Sequence, residues 1–501
     1  MPKRKSRGDG DSFRNLACFA ILYRYIHPAL PMELLTNIAL IFLVLLSFNL
    51  MIFIHELGHF LAARWRGLKV EKFQIWFGKP IWQKTINGVQ YGLGTIPAGG
   101  FVSLPQMAPM EAIEGANLDA EPLPPVKPID KIIVAVAGPL FSLGFALALG
   151  LIVWGIGKPQ DIIHETTIGY VQNDSPAAKA GLREGDKIIA VDGNPVRYYL
   201  GGIEGVKENI VLSTNEKIAV TVERPGEKSP LTLQCSFEIA PSRWYERRAL
   251  RTIGISFATP LIVDEFVPNS PASKSSLLKG DKIISVDGIK VWSNHQLAEY
   301  VSKRENQEVK LGILRNDKPQ DVTITPRRPC KPQKLALEKD QAMLGVAWDN
   351  QGIVDEHIVY PSPVKQCTNS VKMMLATFTA LLSPKSSVGI DQLSGPVSIA
   401  KAKFDILKTD NGLRRLLAFL VLINVNLAIF NMLPFPVLDG GHITLAIMES
   451  VARRPVRARV LEYVQTACAL LLMGTFFYIS TKDVGGFFSP QETEDKIEFC
   501  P

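Results

Sequence analysis

Residues 34–59 read LLTNIALIFLVLLSFNLMIFIHELGH. The apolar part, 34–54, has about the length that spans a bilayer, and it runs straight into His55-Glu56-Leu57-Gly58-His59. On an α-helix four residues turn about 400°, so both imidazoles project from one face. That spacing suits two nitrogen ligands on one zinc, with Glu56 between them to polarise a bound water. In a soluble chain a bare HExxH is a weak signal. Its place sharpens it here, because an ionisable group near the bilayer centre costs roughly 2.5–3.5 kcal/mol. A chain rarely keeps three such groups at the end of an apolar helix without a use. A polar cluster that only marks the end of the span is the bland alternative.

Working outward, three more runs suit a bilayer: 132–156, a stretch near 413–433 and a shorter one near 460–479. The third carries Arg414, Arg415, Asn424, Asn426 and Asn431, so its polar groups are expected to face protein or a water-filled cavity. The whole chain of 501 residues is 47% hydrophobic and 21% charged, with mean hydropathy +0.13. Those values exclude a disordered chain, a collagen-like chain and a small disulfide scaffold. The net charge of +7 is modest and no basic tract interleaves with aromatics, so no nucleic-acid partner is expected. Six cysteines without a CxxC exclude a thioredoxin-type motif and a structural thiolate zinc site. One disulfide outside the membrane stays open, without an assigned pair.

Between the first two spans, 68–104 holds two β-prone runs around Asn87-Gly88, a type I′ hairpin signal. It reads as a β-hairpin packed at or dipping into the bilayer, with an ordinary interfacial loop as the alternative. Residues 107–128, rich in Pro, Glu and Ala, read as a flexible linker. The span-free stretch from about 158 to 360 contains a repeat: 174–193 (DSPAAKAGLREGDKIIAVDG) and 269–288 (NSPASKSSLLKGDKIISVDG) share 13 of 20 residues without a gap. Each copy is expected to form a turn, a short amphipathic helix, a Gly-Asp turn and a strand, followed by a second helix and further strands. The layout is therefore an extension (1–32), a first membrane half (33–157), two repeats (158–248 and 249–330), a connecting segment with an amphipathic helix (331–411), a second membrane half (412–480) and a tail (481–501).

A catalytic zinc takes three protein ligands and keeps one position open. The third span ends in Asn431-Met432-Leu433-Pro434-Phe435-Pro436-Val437-Leu438-Asp439-Gly440-Gly441-His442. Its prolines break the helix and its glycines allow close backbone approach, which presents Asp439 as a natural third ligand. His442 competes chemically, and spacing alone does not separate the two. A plain helix-ending Asp-Gly turn is the alternative for Asp439.

The repeat, with its SPA…GL…GDxIxxVDG run, resembles a PDZ domain of the bacterial, protease-associated type. Such domains bind extended peptides at a sheet edge, and spacers or steric filters are the alternative role. His55-Glu56-xx-His59, NxxPxPxLDG at 431–440, AGP at 137–139, PAGGFVSL at 97–104 and LSGPVSIAK at 393–401 together resemble the site-2 protease family of intramembrane zinc metalloproteases. The pair of PDZ copies resembles its bacterial regulator-of-sigma-E branch. The resemblance covers about 33–480. It implies a polytopic α-helical membrane protein of about four transmembrane helices, with a membrane-associated β-hairpin and two inserted PDZ-like α+β domains. It also implies one zinc per chain on His55, His59 and Asp439, with Glu56 as the base and His442 not a ligand. Asn431 and the Gly94, Gly99 and Gly100 region would hold substrate at an edge strand. The implied substrate is a single-pass membrane protein, such as an anti-sigma factor, cut within its transmembrane segment after a first cut outside. The partners are that substrate, the bilayer, and peptide tails at the PDZ copies. A catalytically inactive PDZ scaffold is the rival reading.

Lys and Arg concentrate in 58–131 (Arg64, Arg66, Lys69, Lys72, Lys79, Lys84, Lys127, Lys131) and in 435–459 (Arg453, Arg454, Arg457, Arg459). Both connections are expected to be cytoplasmic, which leaves the repeats outside a bacterial inner membrane. The extension carries Lys3, Arg4, Lys5, Arg7, Arg14 and Arg24 on the side that should be poor in them. Translation is therefore expected to begin at Met32. A signal peptide competes, but Arg24 interrupts its apolar stretch and no A-x-A site precedes Pro31.

Overall fold

The computed structural model describes residues 32–107, 126–330, 341–354, 356–453, 458–488 and 497–500. The extension and most of the linker expected at 107–128 lie outside the described residues. α1 (Met32–Arg66) is one unbroken helix of 35 residues, about 52 Å at 1.5 Å per residue, so the HExxH rides on the rod of the first span. Four strands follow: β1 (Lys72–Phe77), β2 (Trp82–Ile86), β3 (Val89–Leu93) and β4 (Ile96–Ser103), in sheet order β2-β3-β1-β4. Asn87 and Gly88 both have positive φ, as the two-residue turn requires, and β2 and β3 pair antiparallel across them. The hairpin is thus only the outer half of a larger sheet. β1 lies parallel to β3 and antiparallel to β4, a pairing that local sequence spacing does not encode.

α2 (Pro128–Ile156) returns through the membrane beside α1. Its buried residues are mostly small: Ala135, Ala137, Gly138, Ser142, Ala146 and Gly150. Small side chains let two helix backbones approach closely, the usual solution where lipid provides no hydrophobic drive. Phe60 and Ala63 of α1, Phe73 and Val102 of the sheet, and Val134 and Ala135 of α2 form one apolar cluster. Arg66 donates to Asp130 at 2.8 Å and ties the α1 end to the α2 start.

Beyond α2 the chain passes through β5 (Lys158–Pro159) and builds two α/β modules. The first holds β6 (Ile168–Val171), α3 (Pro176–Ala180), β7 (Lys187–Val191), β8 (Asn194–Pro195), α4 (Val206–Leu212), β9 (Ile218–Glu223), β10 (Leu231–Cys235) and β11 (Ile255–Phe257). The second holds β12 (Leu261–Phe266), β13 (Lys282–Val286), β14 (Ile289–Lys290), α5 (Asn294–Ser302), β15 (Val309–Arg315), β16 (Lys318–Ile324) and β17 (Val346–Trp348). β11 pairs back onto β6 and β17 onto β12, so the modules close later than residues 248 and 330. Ile188 and Val191, and their repeat equivalents Ile283 and Val286, are buried in separate cores.

One expectation for the repeats fails in the second copy. α3 ends on Gly181 at φ 86°, a left-handed position that glycine takes without strain. Ser276 stands there in the second copy, and the segment makes only a 3-10 turn at Ala272–Lys274. The buried aspartate of the Gly-Asp turn is common to both copies. Arg224 forks onto Asp186 at 2.7 and 2.8 Å, and Arg315 onto Asp281 at 2.8 and 2.6 Å. The hydrogen bonds from Arg315 hold the Asp281 carboxyl below the usual carboxylate range. A depressed folded-state value stabilises above the unfolded value near about 3.9 and is lost as pH falls through the folded one. Arg315→Met, which leaves Asp281 buried and unpaired, is expected to destabilise the second module by about 2–3 kcal/mol. Hydrogen exchange at β13 and β15 reads this, and Arg315→Met with Asp281→Leu should recover most of the loss.

β18 (Ile358–Val359) pairs with β5 and leads the chain back to α6 (Pro363–Leu382), α7 (Pro396–Lys408), α8 (Gly412–Asn431), α9 (Asp439–Ala452) and α10 (Ala458–Phe488). The connecting segment thus holds two helices rather than one, because Pro384 and Gly395-Pro396 punctuate it. Met51 of α1, Ala146 and Leu149 of α2, and Leu416, Leu420 and Val425 of α8 share a cluster. α1, α2, α8 and residues 460–485 of α10 are each long and apolar enough to cross a membrane. Leu470, Leu471 and Phe477 of α10 are exposed, as lipid-facing side chains are. Asn424 is fully buried in α8, and Arg415 at the start of α8 pairs with Asp161, as expected for polar groups in that span. Cys330 and Cys500 form a disulfide joining the tail to the end of the second module.

Candidate active site

His55 and His59 lie one turn apart on α1, and their Nε2 atoms are 3.3 Å from each other. Both Nδ1 atoms are engaged elsewhere. His59 Nδ1 is 2.8 Å from the Val134 carbonyl, which accepts only, so this nitrogen carries the proton and Nε2 offers a lone pair. His55 Nδ1 is 3.0 Å from the Ser142 hydroxyl. Partners of this kind hold the ring orientation of a ligating histidine, and the carbonyl also sets the tautomer of His59. Neither partner is legible from spacing, although Ser142 follows the AGP motif closely in sequence.

Asp439 enters from the first residue of α9. Its Oδ2 is 3.3 Å from His55 Nε2 and its Oδ1 is 3.3 Å from His59 Nε2. The three side chains offer ligand atoms that all lie within 4.8 Å of one another. Asp439 Oδ2 is buried without a hydrogen bond. A buried carboxylate oxygen left without a donor is costly, and the His59 Nε2 lone pair points at the same carboxylate across the gap. A cation bound among the three relieves both, so this donor set fits a zinc.

Glycines make the convergence possible. A Cβ on Gly138 would lie 2.1 Å from His59 Nε2, and one on Gly58 would lie 2.5 Å from the Ala137 carbonyl oxygen. A Cβ on Gly440 or Gly441 would strike the backbone of Leu433 or Phe435, so the Gly-Gly pair lets α9 start tightly under the end of α8. Gly100 brings β4 against α1, where a Cβ would stand 3.6 Å from Glu56 Cγ.

A cavity of about 390 Å³ opens over these groups, lined by Glu56, Gly99, Gly100, Asn431, Asp439 and His442 among others. Asn431 Nδ2 is 3.4 Å from His55 Nε2. His442 lines the cavity but has no atom in the three-residue cluster. Gly94 is not among the lining residues. It is buried at the end of β3, where a Cβ would strike the Phe77 and Trp76 carbonyl oxygens. Phe77, Met107 and Val437 also line the cavity, without any sequence signal. β4 pairs with β1 on one side only, so among the described residues its second edge is open.

Such a donor set beside a carboxylate, among membrane-length helices, suits a metal-dependent hydrolase. The chain belongs to peptidase family M50, whose sequence model matches residues 42–475, and it is a metalloprotease. It is 28% identical over 456 residues to a protein of Xylella fastidiosa named putative zinc metalloprotease, covering 88% of this chain and 98% of that one. It is 28% identical over 445 residues to the regulator of sigma-E protease RseP of Escherichia coli, covering 86% and 94%. A PDZ domain of an SdrC-like protein from Listeria innocua matches 19% of this chain and 97% of its own at 18% identity, with a TM-score of 0.16.

Proposed function

We propose that this chain is a zinc-dependent intramembrane endopeptidase of the bacterial inner membrane. It would cut a transmembrane segment of a single-pass membrane protein, such as an anti-sigma factor, after a first cut outside. The convergence of His55 and His59, on α1, with Asp439 at the start of α9 carries the reading. These three residues would hold one zinc, which when bound would supply Lewis-acid polarisation of the scissile carbonyl and of the attacking water. The Glu56 carboxylate takes a proton from that water as oxygen adds to the carbonyl carbon, and delivers it to the departing nitrogen as the C–N bond breaks. Asn431 and β4 hold the substrate backbone. A transmembrane helix hides its carbonyls in its own hydrogen bonds, so it must unwind locally, and the open edge of β4 with Gly99 and Gly100 offers the extended segment a partner.

The modules are PDZ domains facing outside. Two observations support that side: the Lys/Arg-rich connections at the opposite helix ends, and the Cys330–Cys500 disulfide, which belongs to an oxidising compartment. We infer that the pair filters substrates by size. Zinc-loaded protein in lipid, given a single-pass substrate with its ectodomain intact or trimmed to a stump, is expected to cut only the trimmed form. Equal cutting of both would sink the filter. No cutting of either, with zinc bound, would favour the inactive scaffold.

A further inference from the structure

We propose that a cleft between the first module and α6, at the membrane surface, binds the phosphate of an anionic phospholipid headgroup. The cleft holds about 710 Å³ and its walls include Lys158, Arg197, Tyr198, Tyr360, Lys365 and Lys372. Its depth in the bilayer follows from its neighbours. Lys158 lies two residues beyond the end of α2, and Asp161 in the same wall pairs with Arg415 at the start of α8. Both helices are long and apolar enough to cross a membrane, and the cleft lies at their shared end, the level of headgroups if they do. Tyrosines favour that level as well.

The charges do not balance inside the cleft. Asp161 is taken by Arg415, and Glu204 lies 3.8 Å from Arg197. The Glu208 carboxylate accepts from the Gly201 and Gly202 amides at 3.3 and 3.2 Å through Oε1 only, and its Oε2 is buried without a partner. Of the lining groups, four cations (Lys158, Arg197, Lys365, Lys372) face three acids (Asp161, Glu204, Glu208), so the excess is positive. Lys158, Lys365 and Lys372 have no ion-pair partner among the described residues. Lys365 and Lys372 stand two turns apart on one face of α6 with Asn369 between them, and all three line the cleft. Lys365 is also in the first turn of α6, which holds no acid, so it faces the positive end of the helix dipole. Lys158 is held between paired strands, and burial pushes its ammonium below the usual lysine range. Three like charges gathered in one concavity, one of them partly desolvated, are unfavourable alone. A phosphodiester from the surrounding leaflet relieves them, and its acyl chains extend into the adjoining lipid.

The test uses the delipidated full-length protein titrated with dihexanoyl phosphatidylglycerol and followed by native mass spectrometry. One saturable lipid per chain is expected. Lys158→Gln with Lys365→Gln and Lys372→Gln is expected to weaken it roughly tenfold or more, and Lys372→Gln alone roughly fivefold. The single variant, at an exposed helix position, serves if the triple fails to fold. Lys217→Gln with Lys228→Gln and Lys318→Gln removes as much charge from the modules and should leave binding unchanged. Equal loss in both triple variants, or no saturable binding, would overturn the proposal. So would displacement of the lipid by inorganic phosphate at matched concentration, which would make the site one for free phosphate.

Discussion

Purified Glu56→Gln protein is expected to carry as much zinc as the wild type and to cut a trimmed single-pass substrate roughly 10²–10⁴-fold more slowly. The amide fills the space of the carboxylate. It cannot take the proton of the attacking water. His55→Ala, His59→Ala and Asp439→Ala remove ligand atoms and should each lower the zinc content. His442→Ala should not, because His442 lines the cavity outside the cluster. Elemental analysis beside a cleavage assay reads the two roles apart. Zinc lost from Glu56→Gln, or cleavage kept by it, would reassign the base. Zinc lost from His442→Ala and kept by Asp439→Ala would move the third ligand.

Much of this site is legible from local spacing. Two imidazoles at i and i+4 on an apolar run announce themselves, because the helix repeat alone puts them on one face. The LDG run supplies an acid at a break in a later span. Spacing does not reveal that the two segments meet, since Asn431 and His55 stand 376 positions apart and only the packing of α1, α2 and α8 joins them. The supports of the imidazoles were not legible either. A serine hydroxyl and a backbone carbonyl on α2 carry no motif of their own, and their role exists only once α2 lies against α1. The sheet was half legible for a similar reason. Asn87-Gly88 encodes a local turn, whereas the pairing of β1 with β3 and β4 is nonlocal. In the repeats, Ala178, Ala180 and Gly181 of the first copy are Ser273, Ser275 and Ser276 in the second, where a 3-10 turn replaces the helix. The Ser273 and Ser275 hydroxyls donate to the Ser270 and Ala272 carbonyls, local bonds that compete with a helix.

Gly138→Ala is expected to lose most of its zinc, while Gly144→Ala, six positions along the same helix, keeps it. Both substitutions add one methyl group to α2. At position 138 that methyl would lie 2.1 Å from His59 Nε2 and 2.5 Å from its Cε1, well inside any contact distance. The imidazole cannot swing aside without giving up the bond from Nδ1 to the Val134 carbonyl, and α2 backs away only by opening the close contact that Gly58 permits with the Ala137 carbonyl. The ring must turn, and Nε2 then leaves the position it shares with His55 and Asp439. Metal affinity commonly falls 10- to 100-fold, roughly, when only a supporting partner is lost, and displacing the ligand atom itself should exceed that. At position 144 a Cβ meets nothing within 4 Å, and alanine favours the helix by up to about 1 kcal/mol over glycine. Zinc content and thermal unfolding of the two variants check this. The contrast fails if Gly138→Ala binds zinc like the wild type, or if both variants lose it together.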